Sequence, residues 1–463
     1  MRTALLFKAN SYALNLFSWC RAWVLLLIMA TQGWAMDGNG GNPIVPGMGL
    51  ADPHGVVYGN KVYLYATHDF SITNKGFCMK DWWIWSSTDL VTWIKEGILD
   101  PKDTCLRRSD ENCWAGYGVS RNGKYYWYVS LHHNSIAVVV SDTPNGPWRD
   151  PIGKPLIPIG MSATEARDPG ILIDENDEAY IVYGTYDFFI GRLGKDMISL
   201  AETPRLVSFD RKAGPYGEGK TDDKPNLHKR NGIYYLSWGC YYAASSNIYG
   251  PYTYKGSVIT PDFQAPEFRN HFDQDRHGNF FEFNNQWYYV FNDFSQPGSS
   301  GLFRNSCLAY VHYRDNGDMA PVRINRIGVG QYDAGEKIEA ECFFDAPKSV
   351  VKMERGSGFE MRNIGNGDVL SFPKVRNMQE NTPVNFLVAS GNPEGGAIEI
   401  RSGSKNGKIL GTCKIPNTGG WTNYRLVSCN LMSDPGTNDI FLVFKGNDSE
   451  IIRLDWFKFG AKP

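Results

Sequence analysis

A short motif recurs five times in the first two thirds of this chain, and it limits the possible fold more than any other feature. Each copy has an apolar strand, a turn that contains Asn, and a second strand rich in Tyr and Trp, which is the pattern of a β-hairpin. The copies are led by Asp52, Gly116, Asp168, Asp223 and His277, at steps of 64, 52, 55 and 54 residues. A period of about fifty residues, with strands and no helical pattern, predicts the five blades of a β-propeller.

The leading position of each copy matters for function, because the first strand of every propeller blade lines the central axis. We therefore expect Asp52, Asp168 and Asp223 to face one another across a single pocket at one end of that axis. Carboxylates brought together without a basic residue between them raise one another's pKa, since like charges a few ångströms apart resist joint ionisation. Such a cluster indicates a catalytic site rather than a scaffold.

The length and composition agree with an all-β protein of two domains. The chain has 463 residues, with 49 Gly and 25 Pro that punctuate short strands throughout. Its formal net charge of −2 gives no indication of a nucleic acid or an anionic membrane as partner. The 14 Trp and 25 Tyr suit sugar rings as ligands, although we expect most of these side chains to fill the interfaces between blades. A monomer is the expected form, and a polysaccharide or oligosaccharide is a ligand that such rings would suit.

The first 35 residues have the features of a signal peptide. Arg2, Lys8 and Arg21 supply the positive region, residues 22–30 form the apolar core, and residues 33–35 offer small residues for cleavage. The apolar run is too short to span a bilayer. We therefore expect a secreted or periplasmic protein with no membrane span.

Eight cysteines remain after this cleavage, in a compartment that would permit disulfides. The pairs to test first are Cys105 with Cys113 and Cys413 with Cys429. Spacing alone does not fix the pairing, so buried free thiols are an equal alternative.

A domain boundary is predicted near residue 325, where the repeat ends. The propeller is expected over residues 36–325. From Lys337 to Phe459, short strands follow one another with Asn-Gly and Gly-Gly turns, which favours a β-sandwich of the jelly-roll type over residues 335–463. The expected fold class is all-β, with a five-bladed β-propeller followed by a β-sandwich module.

Six segments in chain order carry a resemblance to a known family. They are ADPH at Ala51, IWSSTDLVTW at Ile84, CWAG at Cys113, RDPG at Arg167, HKRNGIYYLSWG at His228 and HGNFFEFNNQWY at His277. Through them the chain resembles glycoside hydrolase family 43, five-bladed propeller enzymes that remove xylose and arabinose from polysaccharides with inversion of configuration. The C-terminal part is similar to a family 6 carbohydrate-binding module through IEAE at Ile338, GGW at Gly419 and IIRLDWFKFG at Ile451.

The resemblance assigns roles to two of the three aspartates. An inverting glycosidase uses a carboxylate base that activates water and a carboxylic acid on the opposite face of the sugar, roughly 6.5–9.5 Å apart. By resemblance Asp52, in the ADP motif, is the base. Asp168 resembles the third carboxylate of the family, which positions the acid and keeps its pKa high enough for protonation near neutral pH.

The acid is where this chain departs from the family pattern. The family usually has a Glu-Gly-Pro motif at the start of the fourth blade, whereas this chain has Asp223-Lys224-Pro225. Glu218, in the preceding loop, is the nearest glutamate. Register favours Asp223 as the acid and residue type favours Glu218; we prefer Asp223, because hairpin register fixes which side chains face the axis. The ammonium of Lys224 would favour the ionised carboxylate, so an altered activity or none is also open.

Five further residues of the propeller are candidates for the site. The resemblance places His277 on the axis near a bound calcium or sodium ion, and a buried histidine satisfied by the backbone is the alternative. Arg276 is a candidate donor to sugar hydroxyls. His54, Trp114 and Trp238 are expected to line the pocket because they lie close to the motif positions.

The resemblance also assigns residues in the C-terminal module. Phe359 and Trp421 would clasp a sugar ring, and Asn447 would hydrogen-bond to it near the last strand. Glu339 and Glu341 match the segment that holds a structural calcium in such modules. Calcium is therefore an expected cofactor, and no organic cofactor is expected. The alternative is a sandwich that only braces the propeller.

The sequence thus predicts a secreted, exo-acting, inverting glycosidase of the β-xylosidase or α-L-arabinofuranosidase type, acting on plant or algal polysaccharides. Two alternatives stay open. One is a retaining enzyme of the fructan-cleaving families, which share the five-bladed fold. The other is a non-catalytic, sugar-binding propeller that has lost its acid.

Overall fold

A computed structural model describes residues 41–132, 134–268, 276–294, 301–432 and 434–460, apart from the side chain of Glu267. The predicted signal peptide, residues 1–35, lies outside the described residues. Regular structure in these ranges is β-strand, apart from 3-10 turns at Pro101–Asp103, Pro261–Phe263, Pro266–Phe268 and Ala340–Cys342. Within the same ranges, no helix has the length and apolarity needed to cross a bilayer.

The first three blades are antiparallel sheets whose strands are neighbours in sequence order. Blade 1 contains β1 (Leu50–Tyr58), β2 (Lys61–Asp69), β3 (Met79–Ser87) and β4 (Ile94–Leu99). Blade 2 contains β5 (Trp114–Arg121), β6 (Lys124–Leu131) and β7 (Ser135–Ser141). Blade 3 contains β8 (Gly170–Ile173), β9 (Ala179–Thr185), β10 (Asp187–Arg192) and β11 (Arg205–Leu206).

A small hairpin precedes the last two blades. It pairs β12 (Ala213–Gly214) with β13 (Gly217–Glu218). Blade 4 contains β14 (Pro225–Arg230), β15 (Ile233–Trp238), β16 (Tyr241–Ser245) and β17 (Thr253–Ser257). Blade 5 contains β18 (Gly278–Phe283), β19 (Gln286–Asp293) and β20 (Asn305–Val311).

The turns between the first two strands of the blades explain why these hairpins form. In blade 2, Asn122 has a φ of 53° and Gly123 a φ of 74°. In blade 4, Asn231 has a φ of 49° and Gly232 a φ of 79°. Two successive left-handed residues make the tight turn whose twist matches that of the flanking strands, and Asn and Gly adopt this conformation most readily.

The five first strands close a ring around the axis. They contact one another in the order β1, β5, β8, β14 and β18, and β18 in turn contacts β1. Residues near the start of the described chain complete the last blade: the Ile44 N–H donates to the Ser306 carbonyl at 2.9 Å, and the Asn42 side chain donates to the Leu308 carbonyl at 2.9 Å. The predicted five-bladed β-propeller is confirmed.

The C-terminal part is the predicted β-sandwich. One sheet has the order β21 (Tyr332–Asp333), β25 (Val369–Met378), β30 (Gly436–Lys445), β27 (Gly396–Ser402) and β28 (Lys408–Ile415). The other has the order β23 (Val351–Arg355), β24 (Gly358–Ile364), β31 (Ile452–Phe459), β26 (Pro383–Ser390) and β29 (Gly420–Asn430), with β22 (Ile338–Glu339) paired to β31. A continuous apolar core, which includes Phe372, Phe386 and Phe457, fills the space between the two sheets.

Polar contacts join the sandwich to the propeller. The Gln286 side-chain amide, in blade 5, donates to the Glu341 carbonyl at 2.7 Å and accepts from Lys352 Nζ at 2.6 Å. Arg314 and Glu354 form an ion pair, with Arg314 Nη1 2.7 Å from Glu354 Oε1. These bonds connect blade 5 and the segment after it to the six-stranded sheet.

The described cysteines are free thiols, so neither of the two disulfides selected for testing is present. Cys113 is buried in the core between blades 1 and 2, and Cys105 packs against the same core. The thiols of Cys413 and Cys429 hydrogen-bond to each other where β28 contacts β29.

Candidate active site

The three aspartates of the repeat line one pocket of about 210 Å³. Asp52, Asp168 and Asp223 lie at or just before the start of the first strands of blades 1, 3 and 4. Trp114 and His277, at the corresponding ends of blades 2 and 5, line the same pocket. The N-terminal ends of all five inner strands therefore meet here, as the repeat predicts.

Backbone conformation corrects the predicted register of blade 4 by one residue. Asp52, Asp168 and Lys224 each precede a proline, and each has a left-handed backbone, with φ values of 47°, 54° and 61°. Lys224, rather than Asp223, is thus the structural equivalent of the other two aspartates. Alignment on the turn asparagines produced the error, because Asn60 is the second residue of its turn and Asn231 is the first. Asp223, one residue earlier, still lines the pocket.

Asp52 is held by four side chains. Its carboxylate accepts hydrogen bonds from Arg304 Nη1 at 2.8 Å, from Asn292 Nδ2 at 3.0 Å and from Thr67 Oγ1 at 3.1 Å. His277 Nδ1 lies 3.3 Å from Asp52 Oδ1. Burial would raise the pKa of Asp52, but the charges of Arg304 and His277 outweigh it, and the pKa lies well below its ordinary value. Asp52 is therefore an ionised carboxylate, as a general base must be.

Arg304 and Asp69 are functional residues that sequence reasoning missed. Arg304 contacts Asp69 as well as Asp52: its Nη2 lies 2.9 Å from Asp69 Oδ1 and its Nε lies 3.0 Å from Asp69 Oδ2. Asp69 ends β2, and Arg304 comes just before β20. Neither residue occupies the leading position of a repeat, so no sequence pattern indicated a role for them.

Asp168 has the opposite electrostatic character. Its backbone N–H donates to Ser130 Oγ at 2.8 Å, and its Oδ2 accepts from the Lys224 N–H at 3.1 Å. Burial and then the negative charge of Asp223 raise the pKa of Asp168 to about 7. A carboxyl group that keeps its proton near neutral pH therefore lies in the same pocket as the ionised Asp52.

Asp223 lies between two cations. Lys224 Nζ is 2.5 Å from Asp223 Oδ1 and 2.7 Å from Asp222 Oδ2. Arg167 Nη2 lies 3.8 Å from Asp223 Oδ2. Burial would raise the pKa of Asp223, but the Lys224 ammonium outweighs it and the pKa is lowered. The prediction that Lys224 favours the ionised form of Asp223 is therefore supported.

Glu218, the other candidate acid, does not reach the pocket. Its side chain is 62% exposed and accepts three hydrogen bonds from Arg211, from Nε to Oε1 at 2.8 Å, from Nε to Oε2 at 3.1 Å and from Nη2 to Oε2 at 2.6 Å. Because Glu218 lies on β13, its position is set by that hairpin rather than by the inner strand of blade 4.

Three other predicted pocket residues are buried beside or below the pocket instead of lining it. Trp238 is fully buried and donates from Nε1 to the Ala213 carbonyl at 2.9 Å. Arg276 is buried and donates to the carbonyls of Asn292 and Phe268. His54 is also buried, and its Nδ1 accepts from the Gly118 N–H at 3.1 Å. Proximity in sequence failed here because Trp238 lies on the second strand of blade 4, Arg276 precedes β18, and a bulge between Ala51 and His54 interrupts the side-chain alternation along β1.

Of the residues predicted to bind a sugar in the module, Phe359 does not reach the surface. Phe359 is buried at the junction with the propeller, with its ring centroid 5.2 Å from that of His312. Trp421 is half-buried, with Arg453 Cζ 5.1 Å from its ring centroid. Asn447 is bonded from Nδ2 to Glu394 Oε2 at 2.7 Å. Phe359 faces the junction because it shares a strand face with the core residue Met361.

The two candidate calcium ligands of the module differ in their surroundings. Glu341 is buried, and its Oε2 has no hydrogen-bond partner. Burial and then the charge of Glu339 raise the pKa of Glu341 to about 8. Burial raises the pKa of the nearby Asp455 to about 6. In the ranges that the structure describes, no three His, Cys, Asp or Glu side chains converge closely enough to define a metal centre by themselves.

Two family models match the chain. Residues 41–319 match the model described as glycosyl hydrolases family 43, and residues 339–461 match the carbohydrate binding module (family 6). The chain is 27% identical to an arabinoxylan arabinofuranohydrolase of Paenibacillus polymyxa, over 90% of this chain and 74% of the relative. It is 26% identical to an arabinoxylan arabinofuranohydrolase of Bacillus subtilis, over 90% of this chain and 92% of the relative.

Solved structures share the fold. The family 43 arabinoxylan arabinofuranohydrolase of Bacillus subtilis, in complex with cellotetraose, aligns with a TM-score of 0.53 at 24% identity, over 92% of this chain and 99% of that chain. A family 43 β-xylosidase/α-arabinofuranosidase from a compost metagenome, in complex with xylotriose and in a calcium-free form, aligns with a TM-score of 0.52 at 25% identity, over 61% and 97%.

The raised pKa of Asp168 predicts a pH-dependent gain in stability for Asp168→Asn. In the unfolded chain this carboxyl loses its proton near pH 4, whereas in the folded protein it does so only near pH 7, so ionisation disfavours folding increasingly from pH 4 to 7. Asparagine removes this effect. We expect the variant to exceed the parent in free energy of unfolding by about 1–3 kcal/mol at pH 8 and by much less at pH 4.5.

The measurement is denaturant unfolding at both pH values. Asp262→Asn is the matched control, because Asp262 is an exposed aspartate. An equal gain at pH 4.5 and pH 8 for Asp168→Asn would contradict the assignment of the raised pKa to this residue.

Proposed function

Because the chain belongs to glycosyl hydrolases family 43 and carries a family 6 carbohydrate binding module behind the propeller, we propose that it is an inverting glycosidase that releases arabinofuranosyl or xylosyl residues from xylan-type polysaccharides. The relatives that match over most of their length are arabinoxylan arabinofuranohydrolases, which supports arabinofuranosyl release in particular. The observation that carries the proposal is the pairing, in one pocket, of an ionised Asp52 with a carboxyl group of raised pKa.

Asp52 acts as the general base. Arg304 and His277 keep it ionised, and its hydrogen bonds to Asn292 and Thr67 fix the direction of its oxygens. It takes a proton from a water molecule, whose oxygen then bonds to the anomeric carbon on the face opposite the departing oxygen. The displacement inverts the configuration at that carbon.

Asp223 acts as the general acid, with Asp168 as its partner. The negative charge on Asp223 contributes to the raised pKa of Asp168, so the two carboxyl groups titrate as a pair that holds one proton near neutral pH. Asp223 is the more exposed member of the pair, which favours it as the group that delivers the proton to the leaving oxygen. Lys224 limits this step, because its ammonium stabilises the ionised form of Asp223.

We propose that the C-terminal module attaches the enzyme to polysaccharide, with the half-buried Trp421 and the exposed Asn447 near its binding surface. We also propose export, because residues 1–35 have the order of a signal peptide and a polymeric substrate does not cross a membrane.

We further propose that the module binds calcium. Glu341, Glu339 and Asp455 are the residues that would hold it, and the buried, unpaired Glu341 Oε2 is the feature that fits a cation. Calcium would neutralise these carboxylates and so stabilise the fold of the module. In the pocket, His277 pairs with Asp52. We propose that a cation on the propeller axis would be connected to His277 through this pair.

Calcium should stabilise the whole chain against heat, and Glu341→Gln should abolish most of the effect. Binding to the folded state alone stabilises it by about 2.7 kcal/mol at a ligand concentration one hundred times the dissociation constant. The check is the melting temperature in calcium and in chelator. Identical melting curves of the parent protein in both would contradict a calcium site.

Hydrolysis should proceed with inversion and should depend on Asp52. For Asp52→Asn we expect a loss in kcat of about 10²–10⁴-fold on arabinoxylan, because the amide cannot take a proton from water. NMR of the first-formed sugar should show the opposite anomer from that in the substrate. Net retention would favour the fructan-type alternative, and a parent protein without turnover of arabinoxylan or aryl glycosides would favour the non-catalytic one.

The acid can be identified by the dependence on the leaving group. Asp223→Ala should lose about 10²–10⁴-fold in kcat/KM on arabinoxylan but much less on a dinitrophenyl arabinofuranoside, whose leaving group needs little protonation. Glu218→Ala should change the ratio between these two substrates far less than Asp223→Ala does, since Glu218 lies outside the pocket. The reverse pattern for the two variants would assign the acid to Glu218.

A further inference from the structure

An exposed tyrosine stands at the mouth of the catalytic pocket. Tyr216 lies in the two-residue turn, Pro215-Tyr216, between β12 and β13, where Gly214 pairs with Gly217. Its side chain is 59% exposed, yet it lines the pocket together with the aspartates. A large aromatic ring held in solvent beside a reaction centre is available to contact a substrate.

The hairpin that carries Tyr216 is braced at its base. The Arg211–Glu218 ion pair links the segment before β12 to β13, and the Gly219 N–H donates to the Lys212 carbonyl at 2.8 Å. The buried Trp238 of blade 4 holds the hairpin through the Ala213 carbonyl. Glu218 and Trp238 do not line the pocket, but they fix the position of the Tyr216 ring, which does.

A second tyrosine, Tyr186, stands beside Tyr216 in a strained backbone conformation. It has a φ of 60°, in the left-handed region that bulky residues rarely adopt, and its side chain is 45% exposed. Its N–H donates to the Asp222 carbonyl at 3.0 Å, and its own carbonyl accepts from Thr221 Oγ1 at 2.7 Å. Backbone strain of this kind persists where the surroundings enforce it and is concentrated at ligand sites.

The two rings form one surface. Their centroids are 6.0 Å apart and their planes meet at 81°, an edge-to-face arrangement. Lys220 Nζ lies 5.8 Å from the centroid of the Tyr186 ring. The surface therefore combines apolar ring faces with hydroxyl groups and a nearby cation, which suits the C–H faces and hydroxyls of a sugar.

This surface is on the Asp223 side of the pocket. Tyr216 interacts electrostatically with Asp222, Lys224 and Asp223. The side near Asp52 is covered by a different ring, because Arg304, which binds Asp52, has its Cζ 4.9 Å from the centroid of Phe77. In an inverting reaction the leaving group departs on the side of the acid and water attacks from the side of the base.

We propose that Tyr216 and Tyr186 form a stacking platform for the leaving-group side of the substrate, and that its ligand is the backbone of a xylan-type polysaccharide. The platform rests on the proposed function, since Asp223 as the acid defines which side the leaving group occupies. The pocket accepts the sugar that is released, and the platform holds the polymer from which it is cut.

The test compares two substrates that share the released sugar. Arabinoxylan has a polymeric leaving group that reaches the platform, whereas α-L-arabinofuranosyl fluoride has a leaving group of a single atom. For Tyr216→Ala we expect KM for arabinoxylan to rise about 3–10-fold, in line with about 0.5–1.5 kcal/mol for a ring contact. The kcat/KM for the fluoride should stay within about twofold of the parent. Tyr216→Phe, which keeps the ring, should restore most of the affinity for arabinoxylan.

Phe70→Ala is the matched control. Phe70 is 50% exposed, as exposed as the pocket residue Phe77 at 51%, but Phe70 itself does not line the pocket. Its ring centroid lies 3.8 Å from Lys80 Nζ. We expect parent-like kinetics on both substrates. The proposal is overturned if Tyr216→Ala leaves KM for arabinoxylan unchanged, or if it lowers kcat/KM equally on arabinoxylan and on the fluoride.

A binding measurement separates failure of the platform from failure of the proposed function. Titration calorimetry with xylotetraose is done on the full chain carrying Asp52→Asn and Trp421→Ala, so that neither turnover nor the Trp421 ring of the module contributes. Addition of Tyr216→Ala should weaken binding about 3–10-fold. Absence of turnover by the parent would reject the glycosidase while leaving this readout intact, and equal binding with and without Tyr216 would reject the platform.

Discussion

The closure of five inner strands around one axis is the constraint on which the rest of the molecule depends. It brings the N-terminal ends of β1, β5, β8, β14 and β18 to a single pocket. At three of these ends the chain adopts a left-handed residue before a proline, at Asp52, Asp168 and Lys224. That conformation is unfavourable for most residues other than Gly, Asn and Asp, so Lys224 is the one of the three that adopts it against its own preference.

Cations decide what each carboxyl group in the pocket can do. Asp52 and Asp168 are both buried, but only Asp52 has a guanidinium within 2.8 Å, and their pKa values move in opposite directions. One is therefore ionised and the other holds a proton near neutral pH, although the residue type is the same. Arg304 causes most of this difference in pKa, and its ion pair with Asp69 holds its guanidinium in place.

The sequence could predict the fold and the pocket positions that lie on the repeat, but not the residues that tune them. Asp52, Asp168 and His277 follow from their place at the start of a blade. Arg304 could not be found, because it meets Asp52 from 252 residues away, through closure of the last blade on the first. Trp238, Arg276 and Phe359 were wrong as ligand contacts because nearness to a motif does not tell which way a side chain points or whether it is buried.

In the fourth blade, Lys224 stands where the family motif has a glycine. The substitution affects the backbone as well as the charges in the pocket. A lysine at φ 61° is strained where glycine would not be, by about 1–2 kcal/mol. Its backbone N–H supports Asp168 and its ammonium binds Asp222 and Asp223 together, so one residue joins three carboxylates that would otherwise repel. In the proposed mechanism this weakens the acid, because the Lys224 ammonium lowers the pKa of Asp223 and its proton is held less firmly. A substrate with a leaving group firmly positioned on the Asp223 side compensates for a weaker hold on the proton, because orientation lowers the barrier to its transfer. The rigid hairpin beside Asp223 is placed to supply that orientation.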